Sequence, residues 1–146
     1  MSRRDVVIDQ VGGIMAREGL SADWDEETGD HRLFFESAMI LVSVMGDDDR
    51  PVVKIHSPLL FDVDYAGNRA AILARLNNIN GKYRFLKTYL LGSNVVSHYS
   101  MPAVNLDAED FMRAMELMVR LSEELDDTLM IELGGRRAVD VMEDDE

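Results

Sequence analysis

The pattern of apolar and polar positions changes period several times along the chain. Over residues 3–18, Val7, Val11, Ile14 and Met15 recur at helical spacing and predict a first helix with one apolar face. Ser2 stands where an N-cap belongs, and Asp5 falls in the first turn, where the helix dipole favours an acid. Gly12-Gly13 weakens that helix by about 1 kcal/mol per glycine, and Gly19 followed by Leu20 marks its stop. From 21 to 64 the period drops to two. A polar, turn-rich stretch from Asp23 to Asp30 leads into strands at His31–Glu36 and Ala38–Met45. Gly46-Asp47-Asp48-Asp49-Arg50-Pro51 predicts a turn, and Val52–Phe61 a third strand. Its Val53, Ile55, Leu59 and Phe61 share one face, opposite Lys54, His56 and Asp62, as in an antiparallel sheet with one face on a core.

Helical spacing then returns. Asp64–Asn80 predicts a second helix, with Asp64 as N-cap, Ile72, Leu73, Leu76 and Ile79 as its stripe, and Asn80-Gly81 as its end. Two strands follow, Tyr83–Leu91 and Val95–Met101, joined through Gly92-Ser93-Asn94 and closed by Pro102. Asp107 caps a third helix, with Asp110 three positions on in a capping-box-like place. Phe111, Ala114, Met115, Met118, Leu121 and Leu125 make its stripe, widened by Met112, Leu117 and Val119. Leu129–Leu133 extends this helix or packs back on the body. Gly134-Gly135 breaks the chain, and Arg136–Glu146 is expected to be a mobile acidic tail. The order is αβββαββα, an α+β fold in one domain over residues 1–133, with a tail at 134–146.

Composition changes this picture little. At 146 residues the chain can bury its own core, and 47% hydrophobic with 29% charged residues is a globular balance. Its longest apolar run, Ala38–Val42, falls far short of the roughly 18 residues of a membrane span. Met1-Ser2-Arg3-Arg4-Asp5 lacks the apolar stretch of a secretory signal, and the absence of cysteine fits a reducing cytosol, so a cytoplasmic location is expected. Charge is more informative. The formal net charge is −13; residues 1–106 carry −3 of it and residues 107–146 carry −10. Such a field repels phosphate backbones and anionic lipid, so neither nucleic acid nor a membrane surface is an expected partner.

Candidate chemistry is sparse. His31, His56 and His98 are far apart in sequence and share no ligand-type spacing, and no Gly-x-Ser-x-Gly elbow surrounds any serine. Asn80-Gly81-Lys82 resembles a phosphate loop only superficially, since Leu76 and Tyr83 occupy positions that need Gly and Ser or Thr. Asp23 to Asp30 resembles the start of a calcium loop, but Thr28 and Phe34 replace its glycine and its bidentate Glu. Neither this stretch nor Asp47-Asp48-Asp49 predicts a metal site, and no catalytic residue or cofactor is expected. Methionine stands out, with ten in the chain. For Met15, Met39 and Met115, core filling is the simpler reading. The apolar positions of the third helix nevertheless exceed what one sheet-facing stripe requires, which points to a second contact surface. Met112, Met115, Met118 and Val119, with Leu86 and Leu90 on the strand before the hairpin, are the candidate contact residues for a client or a second copy.

One junction carries a resemblance. Leu76-Asn77-Asn78-Ile79-Asn80-Gly81-Lys82-Tyr83-Arg84-Phe85, followed by a hairpin, resembles the helix-to-strand junction of YbjN-domain proteins, which share the fold of type III secretion chaperones. Ser100-Met101-Pro102 before the helix from Asp107 is similar to the same family, as are Trp24-Asp25 with Gly29 and Val44-Met45-Gly46-Asp47. The resemblance covers roughly residues 4–126. It implies a twisted five-stranded antiparallel sheet with helices packed against it, commonly a bacterial homodimer that binds amphipathic protein segments in hydrophobic grooves. No catalytic residue comes with it. Asn77, Asn80 and Gly81 read physically as a helix end and turn, because Asn and Gly tolerate left-handed backbone. The expected function is therefore a chaperone- or adaptor-like, non-enzymatic protein-binding module. Two alternatives stay open: a regulatory protein responding to a small ligand, and an enzyme of unrecognised type.

Overall fold

The computed structural model describes residues 2–64 and 66–144. The elements in chain order are α1 (Arg3–Arg17), β1 (Asp23–Asp25), β2 (Asp30–Phe35), β3 (Ala38–Met45), β4 (Val52–Leu60), α2 (Arg69–Lys82), β5 (Lys87–Leu91), β6 (Asn94–Pro102), α3 (Ala108–Leu133) and α4 (Ala138–Asp144). Every strand pairing is antiparallel, and the sheet runs β1-β2-β3-β4-β6-β5.

The sheet has six strands, not the expected five. β1 is the addition, three residues hidden between acids that pair Asp23 with Arg32, Trp24 with His31 and Asp25 with Asp30. The acidic stretch is the turn of that hairpin. Asp25 Oδ1 accepts from the amides of Glu27 and Thr28, its Oδ2 pairs with Arg32 at 3.1 Å, and Gly29 takes φ +75°. An aspartate that hydrogen-bonds its own backbone two residues on favours a turn of this kind.

The helices also differ at their ends. α1 opens on the full capping box read from Ser2 and Asp5. α2 begins at Arg69, with Asn68 and not Asp64 at the cap, because residues 66–68 form a turn. It continues through Gly81 to Lys82 and stops at Tyr83, whose backbone is extended (φ −102°, ψ 112°), so Gly81 is helical and not a left-handed terminator. α3 absorbs Leu129–Leu133 and ends at Gly134, φ +76°. Residues 136–144, expected as tail, fold back. Phe61 and Arg136 exchange backbone hydrogen bonds of 2.7 and 2.8 Å, and the Val139 amide donates to Ser37 O. The apolar residues of this short helix, Ala138 foremost, supply a seat that the acidic composition masked. Asp145 and Glu146, also assigned to the tail, lie outside the described residues.

The core lies between the sheet and the helices. Phe111, Met115, Met118, Leu125 and Leu129 of α3 belong to one buried cluster with Ile40 and Val42 of β3 and Val53 and Ile55 of β4. Val7, Val11, Ile14 and Met15 of α1, and Ile72, Leu76 and Ile79 of α2, extend it. Each such side chain contributes roughly 1.5–3 kcal/mol by leaving water. A register shift between Pro58 and Leu60 lets both Leu59 and Leu60 point inward, and it falls where Pro58 cannot donate to the ladder. The opposite face of the central strands carries Leu41, His56 and His98 in register, all half-buried.

Candidate functional site

α3 presents two stripes. Residues 111, 114, 115, 118, 121, 122, 125 and 129 are buried toward the sheet. One flank away, Met112, Glu116, Val119 and Glu123 follow helical spacing along the side of the helix. That flank forms one wall of an open groove of about 270 Å³, with Met115 also among its lining residues. Leu20 and Phe35 also line the groove. A Schellman turn brings Leu20 there: Gly19 takes φ +75°, its amide donates to Ala16 O, and the Leu20 amide donates to Met15 O at 2.9 Å. Phe35 is placed by the last residue pair of β2 and β3, opposite Ala38.

The groove is apolar inside and charged along its rim. Glu116, Arg120 and Glu123 stand at its edge. Burial holds the Glu123 carboxyl above the usual carboxylate range, and the neighbouring Glu36 and Asp127 push it further the same way. A cation arriving there would relieve that repulsion. One turn further along α3, Asp126 is 1% exposed and its Oδ1 has no hydrogen-bond partner among the described residues, as is also true of Ser122 Oγ. Burial raises Asp126 to about 6.

The expected contact residues separate. Met112 and Val119 are half-buried on the groove wall, and Met115 is at its base. Met118 and Leu86 are core residues, because the α3 stripe that carries Met118 turns toward the sheet and Leu86 belongs to the same buried cluster. They are corrected from surface to interior. Leu90 is half-buried on β5 against the core. Leu20 and Phe35 were missed as site residues. Their only sequence signals were a helix stop and the end of an aromatic strand.

Asn77, Asn80 and Gly81 do not act together. Asn77 and Gly81 are exposed on α2. Asn80 reaches β5, the edge strand, where its Nδ2 donates to Thr88 O at 3.0 Å and its Oδ1 accepts from the Thr88 amide at 2.6 Å. The carboxamide thus stands in for a neighbouring strand's peptide and closes that part of the edge. Thr88 Oγ1 lies 2.9 Å from Asn80 Oδ1 and 3.2 Å from Leu76 O.

Two histidines that looked isolated meet across strands, His56 opposite His98. Ser43 Oγ lies 2.5 Å from Asp30 Oδ1 and 2.9 Å from His56 Nε2. A hydroxyl has one proton, and the carboxylate can only accept, so Ser43 donates to Asp30 and accepts from His56 Nε2–H. Burial, with Lys54 nearby, lowers His56 to about 4 and keeps the ring neutral. In a hydrolytic relay the imidazole would receive the serine proton and the carboxylate would hold the imidazole. Here the order is inverted, and Ser43 is not activated. No group of three His, Asp or Glu side chains among the described residues is arranged to hold a metal ion. No described helix is long and apolar enough to cross a membrane.

Comparison with known proteins agrees with this geometry. No curated protein matches the chain. Among solved structures, YbjN from E. coli superposes with a TM-score of 0.66 at 14% identity, over 86% of this chain and 93% of that one. The ExsC–ExsE complex gives 0.65 at 18% identity, over 86% and 95%. The HopA1–SchA chaperone–effector complex gives 0.56 at 13% identity, over 79% and 88%. At these identities the likeness is one of fold. The family model for T3SS (YopN, CesT) and YbjN peptide-binding chaperone 1 matches residues 5–141, nearly the whole chain, and the chain belongs to that family.

Proposed function

We propose that this chain is a non-enzymatic, chaperone-like module of the cytoplasm that captures an amphipathic, basic segment of a client protein in the groove along α3, as a homodimer. The observation that carries the reading is the groove itself: Leu20, Phe35, Met112 and Val119 around a concave apolar surface, with Glu116 and Glu123 on its rim. Helix-in-groove recognition needs an apolar floor for anchors at i, i+3, i+4 and i+7 and leaves charge selection to the rim. Methionine suits clients of varied shape, because its unbranched thioether repacks at low cost. Membership of a peptide-binding family and the fold likeness to a chaperone–effector complex support the same reading. Leu41 and Pro58, half-buried on the sheet face away from α3, offer apolar area for a second copy.

The test uses a fluorescent amphipathic Leu–Lys helical peptide titrated into the full chain. Val119→Asp and Met112→Asp should each weaken binding at least about tenfold, roughly 1.4 kcal/mol, in a chain that still unfolds cooperatively. Equal affinity for wild type and both variants contradicts the reading. Sedimentation at micromolar concentration tests the dimer, and a monomer there contradicts that part.

One observation favours a second reading, a regulator that responds to a small polar ligand. Asp30, Ser43, Lys54 and His56 line a cavity of about 480 Å³ that the groove does not use. Thermal stabilisation by a polar metabolite, lost in Ser43→Ala, would support it over peptide capture.

A further inference from the structure

The groove along α3 does not end at Phe35. That ring also lines a second cavity of about 140 Å³, bounded by Phe34, Ala38, Ala138, Val139 and Met142, which is the seat of α4. We propose that this seat is the far half of the client site and that α4 is its tethered occupant, displaced when an amphipathic client binds. The inference rests on the client reading above.

Two features mark α4 as displaceable, its length and its shallow burial. It has seven residues, well below the length at which a helix is stable alone. Among the described side chains of 138–142 only Ala138 is buried, while Met142 is 41% exposed. Its tether runs through Gly134 and Gly135, both at positive φ, to the Phe61–Arg136 backbone bridge, so α4 leaves by pivoting at Arg137 or by breaking that bridge. Only its leading residue shares the client's chemistry, since Asp140, Glu143 and Asp144 make the helix itself acidic. Arg137 precedes Ala138 and Val139 and pairs with Asp127 at 2.7 Å on α3, as a basic client residue would, while also holding Asp140. Phe35 is the shared wall, so filling the open groove and seating α4 place competing demands on one ring.

The seat is also costly to occupy. Asp126 lies there, with Asp127 beside it on α3, Arg137 reaching in from the α4 segment and Ser37 from the turn between β2 and β3. Glu123 is one turn back, with Glu36 near it. Burial outweighs the help of Ser37 and Arg137 and raises the carboxyl from 3.8 to about 6. In the proposed opening, Arg137 leaves Asp126 together with α4 and water enters there, which moves the carboxyl toward its ordinary value. The docked state therefore holds the proton more tightly. Docking is strongest below about pH 4, weakens as pH rises to about 6, and is level above that. A difference of about two pH units between the docked and free values corresponds to about a hundredfold change in the docking equilibrium.

Amide hydrogen exchange on the full chain tests this at Val139, whose amide donates to Ser37 O. The expected result is local opening, with Val139 less protected than Met118 in the centre of α3. After correction for intrinsic rates, protection should fall up to about hundredfold from pH 4 to pH 7. In Asp126→Asn the pH dependence should vanish. Addition of the Leu–Lys peptide should accelerate exchange at Val139 but not at Met118, and Arg137→Ala should bind the peptide several-fold more tightly. Peptide binding by anisotropy with Val139 exchange unchanged overturns this inference and leaves the client reading standing. No peptide binding at all overturns the client reading, and this inference with it. Val139 exchange as slow as that of Met118, and flat with pH, overturns the tether on its own.

Discussion

Asn80→Ala isolates the contact that closes the β5 edge. The substitution removes two hydrogen bonds to the Thr88 backbone and one contact with its hydroxyl. Thr88 is 2% exposed, so its amide would be left without water or partner. Each lost bond costs about 1 kcal/mol, and an orphaned buried donor about 1–3 kcal/mol. The hydroxyl keeps Leu76 O as a partner, which limits the loss. Alanine returns up to about 0.7 kcal/mol of helix propensity. The net expectation is a loss of about 2 kcal/mol, or roughly 5–8 °C in melting temperature for a chain of this size. Urea unfolding followed by circular dichroism measures it, with Asn77→Ala, exposed on the same helix, as a control costing under about 0.5 kcal/mol. The freed Thr88 backbone also opens a register for strand pairing, so concentration-dependent association should appear in sedimentation. A cost for Asn80→Ala no larger than that of Asn77→Ala would refute the edge-closing role.

The remaining predictions concern ends, turns and titration. Ser2→Ala removes the capping box of α1 and should cost about 1 kcal/mol by chemical denaturation. Gly46→Ala should cost more, about 2 kcal/mol or above, since its Cβ would lie 2.6 Å from Arg50 O on a backbone at φ +86°. His56 is held neutral, so the unfolded chain takes up its proton first. Stability should fall as pH drops from 6.5 to about 4, and His56→Gln should flatten that limb of the denaturation profile. Asp126 acts with the opposite sign, stabilising as pH falls from about 6 to 3.8, and Asp126→Asn should make the chain more stable at pH 7 than wild type.

What the sequence disclosed depended on how regular each signal was. α1 and α3 were legible because Ser2 and Asp107 cap long stripes with a helical period, and β3 because its eight residues sit between turns. β1 was hidden because three residues cannot show an alternation, and Asp25 serves its own turn. α4 was hidden because acidic composition predicts a solvated tail, while Ala138 and the Phe61–Arg136 bridge are tertiary facts. The Asn-rich junction was noticed for the right residue and the wrong reason. Asn80 matters through a side chain that pairs with an edge strand eight residues on, not through its tolerance of left-handed backbone. The methionine helix pointed to the groove, but one sequence does not say which of Met112, Met115 and Met118 faces the sheet. Only the rotation of α3 about its axis settles that.

The central claim, that an amphipathic segment lies in the groove along α3, is tested most directly by methionine-methyl NMR of the full chain during titration with the Leu–Lys peptide. The account predicts that the Met112 methyl, on the groove wall, shifts first and farthest. The methyl of Met118, in the core, and that of Met45, exposed at the far end of β3, should stay near their free positions. Saturable binding that moves Met45 and leaves Met112 untouched would contradict it.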